Sequence, residues 1–305
     1  MERIAVTAFA DYLASPFHFW ANRLRRLNEI DPAKAEMDDL DFGNFCHLVL
    51  EAFGRDESAR NLTDGESIED WFLDAADRFA FEQFGARPGL AVRIQLQSAK
   101  ARLRSAARLQ AAERAAGWEI IAVERSLADA YPLEISGLRI SGKIDRVERN
   151  GDRYRVLDYK TSDSPPKGGA KSDHCVNNRL SDDIDWPPDY AFFEREEKPM
   201  RWKKLQLPLY SLALVQHLPD AELTAGYFHL AKAATDVAID AWEMDPEWLE
   251  AAHTCAEGVI ADVLAGKFAH LVSRGDRDGL ASWHLGLPEK TLDLTFVGGD
   301  ASPVP

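Results

Sequence analysis

The chain has 305 residues, with 51 Asp and Glu against 36 Lys and Arg, for a net charge of −15. This acidity excludes attachment to a polyanion by bulk charge, because neutralising phosphates takes clusters of Lys and Arg; any nucleic-acid contact must be local. With 46% hydrophobic and 29% charged residues the chain is an ordinary folded protein, and three scattered cysteines (Cys46, Cys175, Cys255) are too few for a disulfide framework or a thiolate metal site.

The N-terminal stretch lacks an apolar run flanked by positive charge, and no segment reaches membrane-spanning length, so the expected place is the cytoplasm, away from membranes. Thr7 to about Leu27 reads as one or two helices broken near Pro16, with Thr7 as N-cap and Phe9, Tyr12, Leu13, Phe17 and Trp20 as the apolar stripe. A helix is expected from Asp41 to Phe53, ending at Gly54, followed by others over Ser67 to Phe84 and Val92 to Ala116, closed by Gly85 and Gly117. The period then changes to two, and Trp118 to Leu127, Tyr131 to Ile135, Leu138 to Glu148 and Tyr154 to Thr161 read as strands. An acidic insert rich in Pro and Gly runs from about Asp163 to Pro199 and reads as a mobile loop. Beyond it are expected a helix over Trp202 to His217, strands over Gly226 to Leu230 and Val237 to Trp242, and a helix over Pro246 to Ala265.

Three local basic groups stand out: Arg23, Arg25 and Arg26; Arg93, Lys100, Arg102, Arg104 and Arg108; and Arg201, Lys203 and Lys204. Each taken alone reads as a solvated face.

The densest chemistry lies in "GKIDRVERNGDRYRVLDYKTS", from Gly142 to Ser162. Asn150-Gly151 signals a hairpin, and a two-residue turn there sets Asp145 opposite Val156 and Lys143 opposite Asp158. Side chains alternate along a strand, so Asp145, Asp158 and Lys160 share one sheet face. Two close carboxylates repel unless a cation lies between them, which suits a hard divalent ion. A surface ion-pair ladder is the competing reading.

The segments "GKIDRVE", "VLDYKTS" and "QLPLYSLAL", preceded by "GNFCHLVLEAF" and "TAFADYLASPFHFW", occur in an order that resembles the PD-(D/E)XK nucleases, in particular the C-terminal nuclease domains of the RecB and AddB type. The resemblance implies that His47, Asp145 and Asp158 are metal ligands together with the Tyr159 carbonyl, that Lys160 is the catalytic lysine, and that Glu124 is an acidic residue near the site. It further implies that Gln206 and Tyr210 organise the site and, with Lys203 and Lys204, hold a DNA strand. Without the family, a partly buried structural role serves His47 as well, and packing serves Gln206 and Tyr210. Many AddB-type domains carry four iron-sulfur cysteines; Ser15 stands where the first would be, so no cluster is expected.

The expected architecture is α/β, a restriction-endonuclease-like core with a central mixed sheet flanked by helices. Residues 1–270 form the nuclease domain, with the insert at about 163–199, and 271–305 form a tail. The implied activity is Mg²⁺-dependent DNA cleavage, with Mn²⁺ able to substitute, exonucleolytic on single strands or duplex ends in recombinational repair. A helicase domain or subunit is the implied partner besides DNA. The alternatives are a non-catalytic module that binds DNA ends and a CRISPR-adaptation or phage-related nuclease of the same superfamily.

Overall fold

The computed structural model describes residues 1–25, 36–177 and 187–268. The expected tail over 271–305, the end of the first helical stretch with Arg26, and the middle of the insert lie outside the described residues. The elements run β1 (Arg3–Ala5), α1 (Ala8–Ala14), α2 (Pro16–Phe19, continued by a π turn to Leu24), α3 (Asp39–Arg55), α4 (Glu57–Arg60), α5 (Gly65–Phe84) and α6 (Leu90–Ala115). Then come β2 (Glu119–Ser126), α7 (Leu127–Ala130), β3 (Glu134–Ile135), β4 (Leu138–Ser141), β5 (Lys143–Asn150) and β6 (Arg153–Lys160). The second half holds α8 (Gly169–His174), β7 (Cys175–Asn177), β8 (Phe192–Arg195), β9 (Lys198–Trp202), α9 (Gln206–His217), β10 (Glu222–His229), β11 (Ala238–Glu243) and α10 (Pro246–Leu264). No helix among the described residues is long and apolar enough to cross a membrane.

Five strands form the central sheet in the order β11-β10-β6-β5-β2. β10 runs parallel to β6 and the other neighbours are antiparallel, so the sheet is mixed as expected. Alternation sends Leu157, Tyr159 and Phe228 to one face, where they meet Phe45, Val49, Phe53, Phe72 and Leu103 of α3, α5 and α6. Val147, Val156 and Ala225 go to the other face, against Leu209, Leu214, Val259 and Ile260 of α9 and α10. Two helical layers thus close both faces, and the strand ends between them are left as the place for a site.

Helix starts follow local chemistry. Asp38 and Asp41 form a reciprocal capping box on α3, Asp64 caps α5, and Asp245 caps α10 just ahead of Pro246. Thr7 takes the N-cap position without a side-chain cap bond, and its hydroxyl instead accepts from Arg23. Gly54 does not end α3, which runs through it to Arg55. The glycine is there for space, since a Cβ would collide with the Val123 side chain of β2.

Several expectations are corrected by the tertiary structure. The turn of the β5–β6 hairpin is Gly151-Asp152, with Asn150 opposite Arg153, so the register is displaced from the one expected. The displacement is even, which preserves the shared face and sets Asp145 opposite Asp158 when the register is continued one step past Arg146 and Leu157. Leu138 to Glu148 is two strands, broken at Gly142, because β4 leaves to pair with β1 and β3. The described parts of the insert are not a loop: α8 and the sheet β7-β9-β8 form there, and Trp202 ends a strand instead of starting a helix. Phe9, Tyr12 and Phe19 are buried while Phe17 and Trp20 are only half-buried, and the Tyr12 hydroxyl donates to the Lys267 carbonyl at 2.9 Å, tying the N-terminal helices to the end of α10.

The basic group on α6 is dispersed. Lys100 pairs with Asp77 and Arg104 with Glu69, while Arg102 is buried. Beneath the hairpin, Arg146 and Arg155 flank the fully buried Glu148, and Gln110 and Glu113 of α6 complete the network. A charge at the centre of the fold survives only where opposite charges and hydrogen bonds are brought to it.

Candidate active site

The mixed sheet aligns one row of side chains across its face. Glu124 lies opposite Asp145 in the β2–β5 register, Asp145 opposite Asp158, Asp158 beside Tyr227, and Tyr227 beside Asp240. Glu124 has a left-handed φ of 49°, a strained conformation for a residue with a Cβ, in a strand already bulged between Ile120 and Ala122. Its carboxylate pairs with Lys143 at 2.5 Å.

From the other side, α3 brings His47 over the end of β6. Its Nε2 lies 3.1 Å from the Tyr159 carbonyl oxygen, and its Nδ1 lies 3.7 Å from Asp145 Oδ2. The ring meets the Tyr159 ring edge-on at 5.2 Å. Gly43, one turn earlier on α3, faces Thr161 Oγ1 closely, so its missing side chain lets the helix approach the strand end. The Asp145 carboxylate is held from below by the Tyr159 N–H, which donates to Oδ2 at 2.8 Å.

Asp158 is buried and turned sideways: Oδ2 pairs with Lys160 Nζ at 2.6 Å and Oδ1 accepts from Gln206 Nε2 at 2.7 Å. Lys160 is 35% exposed and opens into a cleft of roughly 780 Å³ lined by His47, Asp145, Asp158, Lys160, Arg102 and Asp163, among others. Arg102, on the cleft wall, donates to the carbonyls of Thr161 at 2.5 Å and Leu230 at 3.0 Å and pairs with Asp163.

The electrostatics suit a cation. Burial, followed by the neighbouring Asp158 charge, pushes the Asp145 carboxyl up to about 8, so in the metal-free protein it holds a proton at neutral pH. Burial likewise pushes the His47 imidazole down, leaving it neutral and competent as a ligand. Ligand atoms of His47, Glu124 and Asp145 all lie within 4.8 Å of one another. Neighbouring ligands of an octahedral ion with bonds of about 2.1 Å stand about 3 Å apart, close to the spacing of the His47 nitrogen and the Tyr159 carbonyl. The donor set therefore fits a hard divalent ion.

The residues expected from sequence thus divide. His47, Glu124, Asp145, Asp158, Tyr159, Lys160 and Gln206 converge. Tyr210 does not offer a face to a nucleic acid: it is 2% exposed, its hydroxyl donates to the Lys143 carbonyl at 2.8 Å, and its ring lies against Gly142. The packing alternative is the one its geometry supports. Lys204 is engaged with Asp173 at 2.8 Å, and Lys203 is half-buried where its backbone bonds to His174. Arg102, read from sequence as part of a solvated basic face, is instead buried on the cleft wall, and Tyr227, near the start of an expected strand, carried no signal of its own.

The sequence profile of the PD-(D/E)XK nuclease superfamily matches residues 3–275, and the chain belongs to that superfamily. Among solved structures, the crystal structure of a proposed exonuclease from Eubacterium rectale is similar in course, with a TM-score of 0.43 and 12% identity over 86% of this chain and 80% of that one. No curated protein matches the chain in sequence.

Proposed function

We propose that the protein is a Mg²⁺-dependent deoxyribonuclease of the RecB/AddB type, acting as an exonuclease on single strands or duplex ends in recombinational repair, alongside a helicase domain or subunit. The observation that carries the reading is the convergence of the His47 imidazole, the Tyr159 carbonyl and the Glu124 and Asp145 carboxylates beside Lys160 in one cleft. The order of the sequence motifs supports the subtype.

A divalent ion held by His47, Asp145, the Tyr159 carbonyl and either Glu124 or Asp158 would supply charge to the scissile phosphate and acidify a water. Lys160 orients that water or neutralises charge developing on the phosphate, and its anchor on Asp158 sets the direction of the ammonium. Gln206 holds the other Asp158 oxygen, which keeps the carboxylate from rotating away. The Tyr159 N–H fixes Asp145 while the Tyr159 carbonyl is itself a proposed ligand, so the backbone of one residue serves two of them. Labelled single-stranded and duplex DNA incubated with the protein and Mg²⁺, Mn²⁺ or EDTA tests the reading. Shortening from the ends with either metal and none with EDTA is expected; no cleavage with either metal overturns it in favour of a scaffold that binds DNA ends.

A further inference from the structure

The Lys160 ammonium touches two groups. One is Asp158; the other is the ring of Tyr227, whose centroid lies 4.9 Å from Nζ. Tyr227 is next to Asp158 in the cross-sheet row and is buried, with a second buried ring, His229, edge-on to it at 5.5 Å. The Tyr227 hydroxyl donates to Asp173 Oδ2 at 2.7 Å, and the same carboxylate takes Lys204 Nζ at 2.8 and 2.9 Å. Asp173 belongs to α8 inside the insert, and Lys204 leads from the insert's sheet into α9.

We infer that Tyr227 is a positioning residue for Lys160, and that through Asp173 and Lys204 the insert holds this tyrosine in place. The inference rests on the reading of Lys160 as the catalytic lysine. A lysine side chain has four rotatable bonds, and a single ion pair to a carboxylate leaves the ammonium free to swing around it. An aromatic face on a second side attracts the cation and removes much of that freedom. The face is useful only if it is stationary. Tyr227 is fixed at its base by the β6–β10 ladder and at its tip by Asp173, which is itself held by a lysine. The ring selects the direction of Lys160; the hydroxyl fixes the ring. Tyr227 does not line the open cleft, so its effect on the reaction passes through Lys160.

The test has a readout independent of cleavage. In full-length protein carrying ¹³C-labelled lysine, the Lys160 εCH₂ resonance, assigned by its disappearance in Lys160→Ala, is expected to be shifted upfield by the Tyr227 ring. It should be only partly shifted in Tyr227→Phe, where the ring is no longer tied to Asp173, and return to the ordinary lysine position in Tyr227→Leu. On single-stranded DNA with Mg²⁺, Tyr227→Leu is expected to lower kcat about five- to tenfold with little change in KM, the effect of releasing one cation–π restraint. Tyr227→Phe should lower kcat about two- to threefold, because the ring remains but the hydroxyl tie to Asp173 that holds it still is gone; a wild-type rate in this variant overturns the insert's part in the inference. An unshifted Lys160 resonance in the wild-type protein overturns the inference without any variant having to fold. A shifted resonance with wild-type kcat in a folded Tyr227→Leu, or a loss confined to KM, also overturns it. If Lys160→Ala itself cleaves at the wild-type rate, the catalytic reading of Lys160 fails, and the inference falls with it. That result differs from an active wild type, an inactive Lys160→Ala and an unaffected Tyr227→Leu, which sinks the inference alone.

Discussion

Replacing Asp145 with Asn should stabilise the metal-free protein, although it removes a residue from the centre of the site. In the folded state the carboxyl is pushed from 3.8 up to about 8 by burial and by Asp158. Between those values the folded protein holds a proton that the unfolded chain has released, so this group lowers stability as pH rises across the window. At pH 7 the ceiling on that cost is about 4 kcal/mol, three units at about 1.4 kcal/mol each. Asn keeps an oxygen for the Tyr159 N–H but adds an amide N–H₂ without an assured partner, which takes back about 2 kcal/mol. A net gain of about 2 kcal/mol remains, or about 4–8 °C in a domain of this size. Thermal unfolding in EDTA should show no gain near pH 4 and a growing one up to about pH 8. With Mn²⁺ in excess the order should reverse, since only the wild type gains binding energy from the ion. A variant that melts below wild type at pH 8 in EDTA, or a difference that does not change with pH, refutes the assignment of a proton-holding Asp145.

Lys160→Ala should lose roughly two orders of magnitude or more in cleavage rate while still binding DNA in Ca²⁺, measured by single-turnover kinetics and filter binding; cleavage near the wild-type rate would count against a catalytic lysine. Gly54→Ala should destabilise by about 1–3 kcal/mol in denaturant titration, because the new methyl forces α3 away from Val123 on β2; an unchanged midpoint would mean that the helix can shift freely. Tyr210→Phe should cost about 1 kcal/mol from the lost bond to the Lys143 carbonyl and should weaken single-stranded and duplex binding equally, if at all. A loss selective for single strands would restore the strand-holding role expected from sequence.

The sequence alone determined the parts of this protein that depend on period and on residue type. Alternation put Asp145, Asp158 and Lys160 on one face, and that held even though the hairpin turn is displaced to Gly151-Asp152, because an even displacement leaves parity untouched. The helices α3, α5 and α6 were readable from their apolar spacing and their glycine stops, apart from Gly54, whose role depends on a strand about seventy residues away. Other assignments needed partners distant in the chain. Whether Arg102 and Arg146 are solvated or buried is decided by the carbonyls and carboxylates that tertiary packing brings to them, and the same residue type serves either way. The order of motifs in the sequence pointed to His47 and Tyr210 alike. Only the packing of α3 and α9 on opposite faces of the sheet decided that the imidazole reaches the cleft while the tyrosine ring is sealed against Gly142, since a pattern along one helix says which side is apolar but not what lies opposite it.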